Sequence, residues 1–207
     1  MNLWWLAVGA LAFPVGDGRP AAVGSVDGAD PRVRCHYERE ADRARCEQVV
    51  GWAADALAEQ VDRIGFRPAL PDAGAGGSDA LDIYVSREAG GAGSAWVQCT
   101  DGYATCVDPD PTDGYLGSSA FVIIDPRTAD GSFEGYVHHE LNHALQYSYD
   151  FLEPALVLWE GTAVAAEYWT NPEWATGAGS WTSLYDYQAT PWVSAVLQDG
   201  YSGGRSS

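Results

Sequence analysis

The feature that most constrains this chain is a short motif, His-Glu-Leu-Asn-His, at residues 139–143. In an α-helix, residues four apart lie on one face, so His139 and His143 can direct their imidazoles at a single ion. Zinc binds neutral imidazole nitrogens at about 2.0–2.1 Å, and a catalytic zinc keeps three protein ligands and a water. Glu140 lies about 100° further round the helix, where its carboxylate reaches that water rather than the metal. The motif therefore predicts one zinc ion with Glu140 as general base.

The third ligand has to come from outside the motif. No histidine follows His143 in the chain, so a carboxylate is expected, as in sites built from two His and one Glu. The acidic residues within reach along the chain are Asp150, Glu153, Glu160 and Glu167. The first two lie where the motif helix is expected to end, just before Pro154.

A second helix is predicted over residues 155–169. If it folds back on the motif helix, Glu160 and Glu167 lie on one stripe, seven residues apart. Small residues in the same segment would let the two helices approach closely; these are Gly161, Ala163, Ala165 and Ala166. We therefore predict Glu160 as the third zinc ligand. Glu167 is predicted to orient a ligand histidine by accepting a hydrogen bond from its free ring N–H.

Together the two segments resemble the active-site helices of gluzincin metallopeptidases. The residues that carry the resemblance are HELNHALQ at 139–146 and LWEGTAVAAEYW at 158–169. They are most similar to the motif pair HExxHAxQ and WEGTA of secreted bacterial metalloprotease-like proteins. In such families the Glu before Gly is the third ligand, which is Glu160 here and agrees with the helix argument. The resemblance covers residues 137–169 and implies a zincin-like fold and a peptide or protein substrate.

The expected function is that of a secreted zinc endopeptidase, in which Glu140 takes a proton from the attacking water and passes it to the leaving amine. Many gluzincins stabilise the oxyanion with a downstream His or Tyr. This chain has no downstream His, so the phenols of Tyr185, Tyr187 and Tyr201 are the candidates. The missing His and the short part of the chain after the second helix favour an alternative. In that alternative the protein binds zinc without cleaving peptides, as a degenerate peptidase or a binding module. A purely structural secreted domain also remains open.

Charge and the first residues indicate the compartment. The net charge is -18 and the chain contains no Lys, which argues against nucleic acid and against an anionic membrane surface as partners. Residues 1–12 are almost wholly apolar, are short for a membrane span and end in Ala-Leu-Ala, so we expect a signal peptide and no stable membrane insertion after its removal. Residues 13–31 are expected to be a linker, and residues 32–207 a single domain. The predicted location is extracellular or periplasmic.

Four cysteines support export. Their spacing favours two local disulfides, Cys35–Cys46 and Cys99–Cys106, over a structural zinc, because no C-x-x-C pair exists. Three acidic residues lie close together and could suggest a calcium site; they are Asp108, Asp110 and Asp113. Their spacing does not match an EF-hand loop, so calcium is not expected.

The remaining pattern predicts an α+β fold. A long amphipathic helix is expected over residues 38–64, because small and apolar side chains recur every three or four positions. Strands are expected at 32–37, 81–86, 95–99 and 103–107, the last two as a hairpin, and a central strand at 120–125. The expected architecture is a small mixed or antiparallel sheet packed on the long N-terminal helix and the motif helix, followed by the second ligand-bearing helix.

Overall fold

The computed structural model describes residues 18–98, 108, 111–152 and 156–171. These residues form a mixed α+β fold with one five-stranded sheet and three α-helices. The strands are β1 (Gly24–Asp27), β2 (Val33–Tyr37), β3 (Leu81–Val85), β4 (Gly93–Val97) and β5 (Ala120–Ile124). The helices are α1 (Arg43–Leu57), α2 (Asp130–Gln146) and α3 (Leu156–Thr170).

The sheet is mixed, one of the two arrangements expected, with the strand order β1-β2-β3-β5-β4. β2, β3 and β5 are parallel, and β1 and β4, the outer strands among the described residues, run antiparallel to their neighbours. Every residue of β3 and β5 is buried, which is typical of strands covered on both faces. β1 lies inside the segment 13–31 that the sequence indicated as linker. Its four residues alternate in burial over too short a length to be recognised without the pairing to β2.

The N-terminal helix differs from the single helix predicted over residues 38–64. A short 3₁₀ turn (Glu40–Asp42) precedes the 15-residue α1, and Ala58–Ile64 continues in wider π-helical turns until Gly65, whose φ is 94°. The wider turns place Gln60 in the interior, where it is fully buried. Its amide accepts a hydrogen bond from Asn142 (2.9 Å) and donates to the carbonyl of His138 (3.3 Å). Through these two bonds, Gln60 joins the π-helical turns that follow α1 to α2.

The predicted Cys35–Cys46 disulfide is confirmed and joins β2 to α1. Cys99 and Cys106, the far strand of the predicted hairpin and the predicted signal peptide lie outside the described residues. Within the ranges that are described, no helix is long and apolar enough to cross a membrane.

The segment before β1 is fixed to the sheet by a buried ionic network. The Arg19 guanidinium bonds the carboxylates of Asp72 (2.6 Å) and Asp82 and the amide oxygen of Gln98 (3.0 Å). His36 on β2 bonds the other carboxylate oxygen of Asp82 at 2.7 Å. Burial raises the pKa of the Asp72 carboxyl from 3.8 to about 6, despite the opposing charge of Arg19.

This raised pKa predicts a specific dependence of stability on pH. Because Asp72 binds its proton more tightly in the folded than in the unfolded chain, its contribution to stability is full below about pH 4 and declines as the pH rises through 6. Asp72→Asn cannot titrate, so the free energy of unfolding of the parent, relative to that of the variant, should fall by about 2–3 kcal/mol between pH 4 and 7.5. Urea unfolding at a series of pH values measures it. A difference that stays constant with pH would contradict this assignment.

Candidate metal centre

Helix α2 is held in the interior by its apolar face, which leaves the motif histidines on the side towards α3. Its fully buried apolar side chains pack in the main hydrophobic core; they are Phe133, Val137, Leu141, Ala144 and Leu145. On α3, Ala163 and Ala166 are fully buried, and the two helices pack against each other. Gly161 was expected to help this close approach, but a Cβ added there would meet nothing within 4 Å. The approach therefore depends on the two alanines.

The structure brings His139, His143 and Glu160 together at one point between α2 and α3. The Nε2 atoms of the two imidazoles are 3.2 Å apart. The Glu160 carboxylate lies 3.2 Å from Nε2 of His139 and 3.7 Å from Nε2 of His143. Two ligand atoms of a tetrahedral zinc, each about 2.05 Å from the ion, are about 3.3 Å apart. The donor set of two imidazoles and one carboxylate, and its spacing, therefore fit zinc.

Among the described residues, the other candidates for the third ligand, Asp150 and Glu167, do not join this group. Asp150 accepts a hydrogen bond from the backbone N–H of Leu152 (2.8 Å), and its backbone pairs with Leu116. Glu153 lies outside the described residues. Glu167 takes the position predicted for it, since its Oε1 lies 2.8 Å from Nδ1 of His139.

Both histidines use Nδ1 in hydrogen bonds with acceptors, which determines where the ring protons are. Nδ1–H of His139 donates to Glu167, and Nδ1–H of His143 donates to the amide oxygen of Gln146 at 2.7 Å. In a neutral imidazole this leaves Nε2 with a lone pair and no proton. The two Nε2 lone pairs then face each other across 3.2 Å, an arrangement that is repulsive unless a positive charge lies between them.

The electrostatics of the cluster favour such a charge. Burial opposes protonation of His139, but the hydrogen bonds that its ring donates to Glu160 and Glu167 outweigh this effect and raise the pKa of the imidazole to about 10. The same hydrogen bonds with His139 and His143 hold the pKa of the Glu160 carboxyl far below its usual range. A site that attracts a proton this strongly also attracts a divalent cation, which carries twice the charge and competes for the same nitrogens.

Glu140 lies outside this donor set and is buried against β4, beside the backbone N–H of Ala95. Burial raises the pKa of the Glu140 carboxyl, although the neighbouring imidazoles of His139 and His143 oppose the shift. A carboxylate beside a cation site, outside its ligand set and with a raised pKa, is suited to accept and release a proton.

The position of Glu140 requires a glycine opposite it. A Cβ added to Gly93 would lie 2.6 Å from Cγ of Glu140, closer than any real contact allows. Sequence reasoning did not identify Gly93, because a glycine in a Gly-rich loop carries no signal of the side chain it faces.

Gly93→Ala should therefore destabilise the protein by about 1–3 kcal/mol, because either β4 or Glu140 has to move. Gly51→Ala is the matched control: Gly51 lies in α1 with nothing within 4 Å of an added Cβ, and the change should stabilise the helix by about 0.5–1 kcal/mol. Chemical denaturation of both variants measures these values. Equal stability of Gly93→Ala and the parent would show that Glu140 is not fixed as described.

The remaining predicted residues are the candidate oxyanion phenols and the acidic residues considered for calcium. Of these, Tyr185, Tyr187, Tyr201 and Asp110 lie outside the described residues. Asp113 bonds the guanidinium of Arg67. Over the described ranges, one group of His, Cys, Asp and Glu side chains can hold a metal ion, and it is His139, His143 and Glu160.

Comparison with protein-family models, with curated proteins and with solved structures found no match to this chain. The function proposed below is therefore supported by the geometry and chemistry of the chain's own residues.

Proposed function

We propose that this protein is a secreted zinc-dependent peptidase of the gluzincin type, with a zincin-like fold, in which His139, His143 and Glu160 hold one zinc ion. The observation that carries the proposal is the spacing of the three donor groups, with Nε2 atoms 3.2 Å apart and a carboxylate closing the triangle. Glu160 is half exposed, so water and substrate have access to the side of the site that it borders.

In this mechanism each protein group has a separate task. Zinc, when bound, supplies Lewis-acid chemistry: it acidifies a water molecule and polarises a carbonyl oxygen. Glu140 accepts the proton of the attacking water and later delivers it to the leaving amine, a use that suits its raised pKa. The backbone of β4, at Gly93 and Ala95, packs against Glu140 and keeps its carboxylate beside the donor groups. Glu167 and Gln146 hold the two imidazoles with their Nε2 atoms directed at the ion.

Peptide or protein substrates are proposed because the HExxH arrangement places a general base one residue after a ligand, on the same helix turn. The net charge of -18 opposes nucleic acid as an alternative substrate. Secretion is proposed from the predicted signal peptide and is supported by the Cys35–Cys46 disulfide, since such bonds persist in oxidising compartments.

One observation favours a second candidate, a zinc-binding protein that does not cleave peptides. The side of Ala95 that faces away from β5 is already occupied: Glu140 lies beside its N–H, and its carbonyl accepts a hydrogen bond from the Tyr147 hydroxyl at 3.4 Å. An extended peptide that adds to the edge of β4 requires these same backbone groups. In this second candidate, Glu140 and Tyr147 stabilise the edge strand.

Glu140→Gln separates the two candidates. The parent is expected to retain one zinc per chain after dialysis and to cleave casein. The variant should keep the zinc but lose cleavage by about 10²–10⁴-fold, because the amide cannot take the proton. Glu134→Gln, the same change elsewhere on α2, is the control and should retain both properties. His143→Ala and Glu160→Ala should lose the zinc.

Elemental analysis and a casein assay on metal-loaded protein provide the two measurements. Zinc in the parent without cleavage would favour the second candidate. No zinc in the parent would contradict both candidates, and full cleavage by Glu140→Gln would contradict the mechanism.

A further inference from the structure

The side chain of Gln146, the last residue of α2, bridges the two helices of the candidate metal centre. Its amide nitrogen donates to the carbonyl oxygen of Trp159 at 3.0 Å and to the hydroxyl of Thr162, both on α3. Its amide oxygen accepts the Nδ1–H of His143 at 2.7 Å. One side chain thus contacts a predicted ligand on α2 and the residue immediately before the predicted ligand on α3.

The orientation of this amide is determined by its partners. A backbone carbonyl such as that of Trp159 can only accept, so the NH₂ end of Gln146 has to face α3. The hydroxyl of Thr162 is free to accept because it donates its own hydrogen to the carbonyl of Leu158 at 2.6 Å. The amide oxygen of Gln146 is then the end that faces His143, and it requires a proton on Nδ1 of that ring.

From this we propose that Gln146 is a positioning residue that couples the tautomer of His143 to the placement of Glu160, an inference that rests on the proposed zinc site. The bond to His143 leaves its Nε2 unprotonated and directed at His139. The bonds to Trp159 and Thr162 hold the turn of α3 from which Glu160 projects. Loss of the amide releases both ligands together, although Gln146 itself touches no metal.

A second buried glutamine provides a matched control. Gln60 also bonds α2 through its amide, to Asn142 (2.9 Å) and to the carbonyl of His138 (3.3 Å), but within the described ranges its amide bonds no imidazole ring and no part of α3. It is fully buried, whereas Gln146 is partly buried. Gln60→Met therefore measures how the loss of an interior amide beside the motif helix changes stability and zinc affinity when no bond to a predicted ligand is lost.

The test uses the full chain and two variants of Gln146. Zinc affinity is measured by competition with a chromophoric chelator, and the tautomer of His143 by ¹⁵N NMR of the imidazoles before zinc is added. Gln146→Met should weaken zinc binding by about 10–100-fold and release the Nδ1–H tautomer of His143. Gln146→Glu keeps an acceptor for His143 but loses the donors to α3. It should keep the tautomer and still bind zinc more weakly than the parent.

Gln60→Met should be less stable to urea than the parent but should bind zinc with about the parent affinity. The inference is overturned if the parent binds zinc and both Gln146 variants bind zinc as tightly as the parent. It is also overturned if Gln60→Met weakens zinc binding as much as the Gln146 variants do. In either case the proposed function stands. If the parent binds no zinc, the proposed function fails. The tautomer measurement then still decides whether Gln146 positions His143. If Gln146→Met does not fold, the zinc affinity of Gln146→Glu tests the inference.

Discussion

The candidate site depends on two imidazole nitrogens that face each other across 3.2 Å, a gap that a shared proton or a metal cation can bridge. Each ring donates its Nδ1–H to an acceptor, Glu167 for His139 and Gln146 for His143. Two lone pairs at this distance repel unless a cation or a shared proton lies nearby. The chain adds the Glu160 carboxylate at the same point, which makes a positive charge still more favourable. The two imidazoles and the carboxylate could therefore hold a metal ion.

The rest of the fold holds this arrangement rigid from three sides. The sheet and α1 bury the apolar face of α2, and Gln60 joins the back of α2 to the π-helical turns that follow α1. Strand β4 packs against Glu140 at Ala95, where Gly93 leaves room for the carboxylate. On the third side, Gln146 joins the end of α2 to α3. Each of these contacts involves α2, so the motif helix is positioned independently of any bound ion.

Local pattern was sufficient to predict the parts of this site that lie within one helix turn or on neighbouring helices. The spacing of His139 and His143 and the single stripe of Glu160 and Glu167 follow directly from helix periodicity, and the structure places all four as that periodicity requires. The mixed sheet and the Cys35–Cys46 bond were also predictable, because strand patterns and short cysteine spacings are local signals.

Features that depend on distant contacts were not predictable. The motif helix ends at Gln146 rather than just before Pro154, because the backbone of Tyr147 instead pairs with Ser118 in a separate loop. For the same reason the bridging role of Gln146 is visible only once α3 is in place.

X-ray absorption at the zinc edge of the metal-loaded protein tests the central claim most directly. The account predicts a four-coordinate ion with two imidazole nitrogens and two oxygens, all at about 2.0–2.2 Å, one oxygen coming from Glu160 and one from water. The same spectrum from Glu160→Ala should show the loss of ordered zinc or a changed ligand set. A six-coordinate, all-oxygen spectrum from the parent, without the scattering of imidazole rings, would contradict the claim that these two helices form a zinc site.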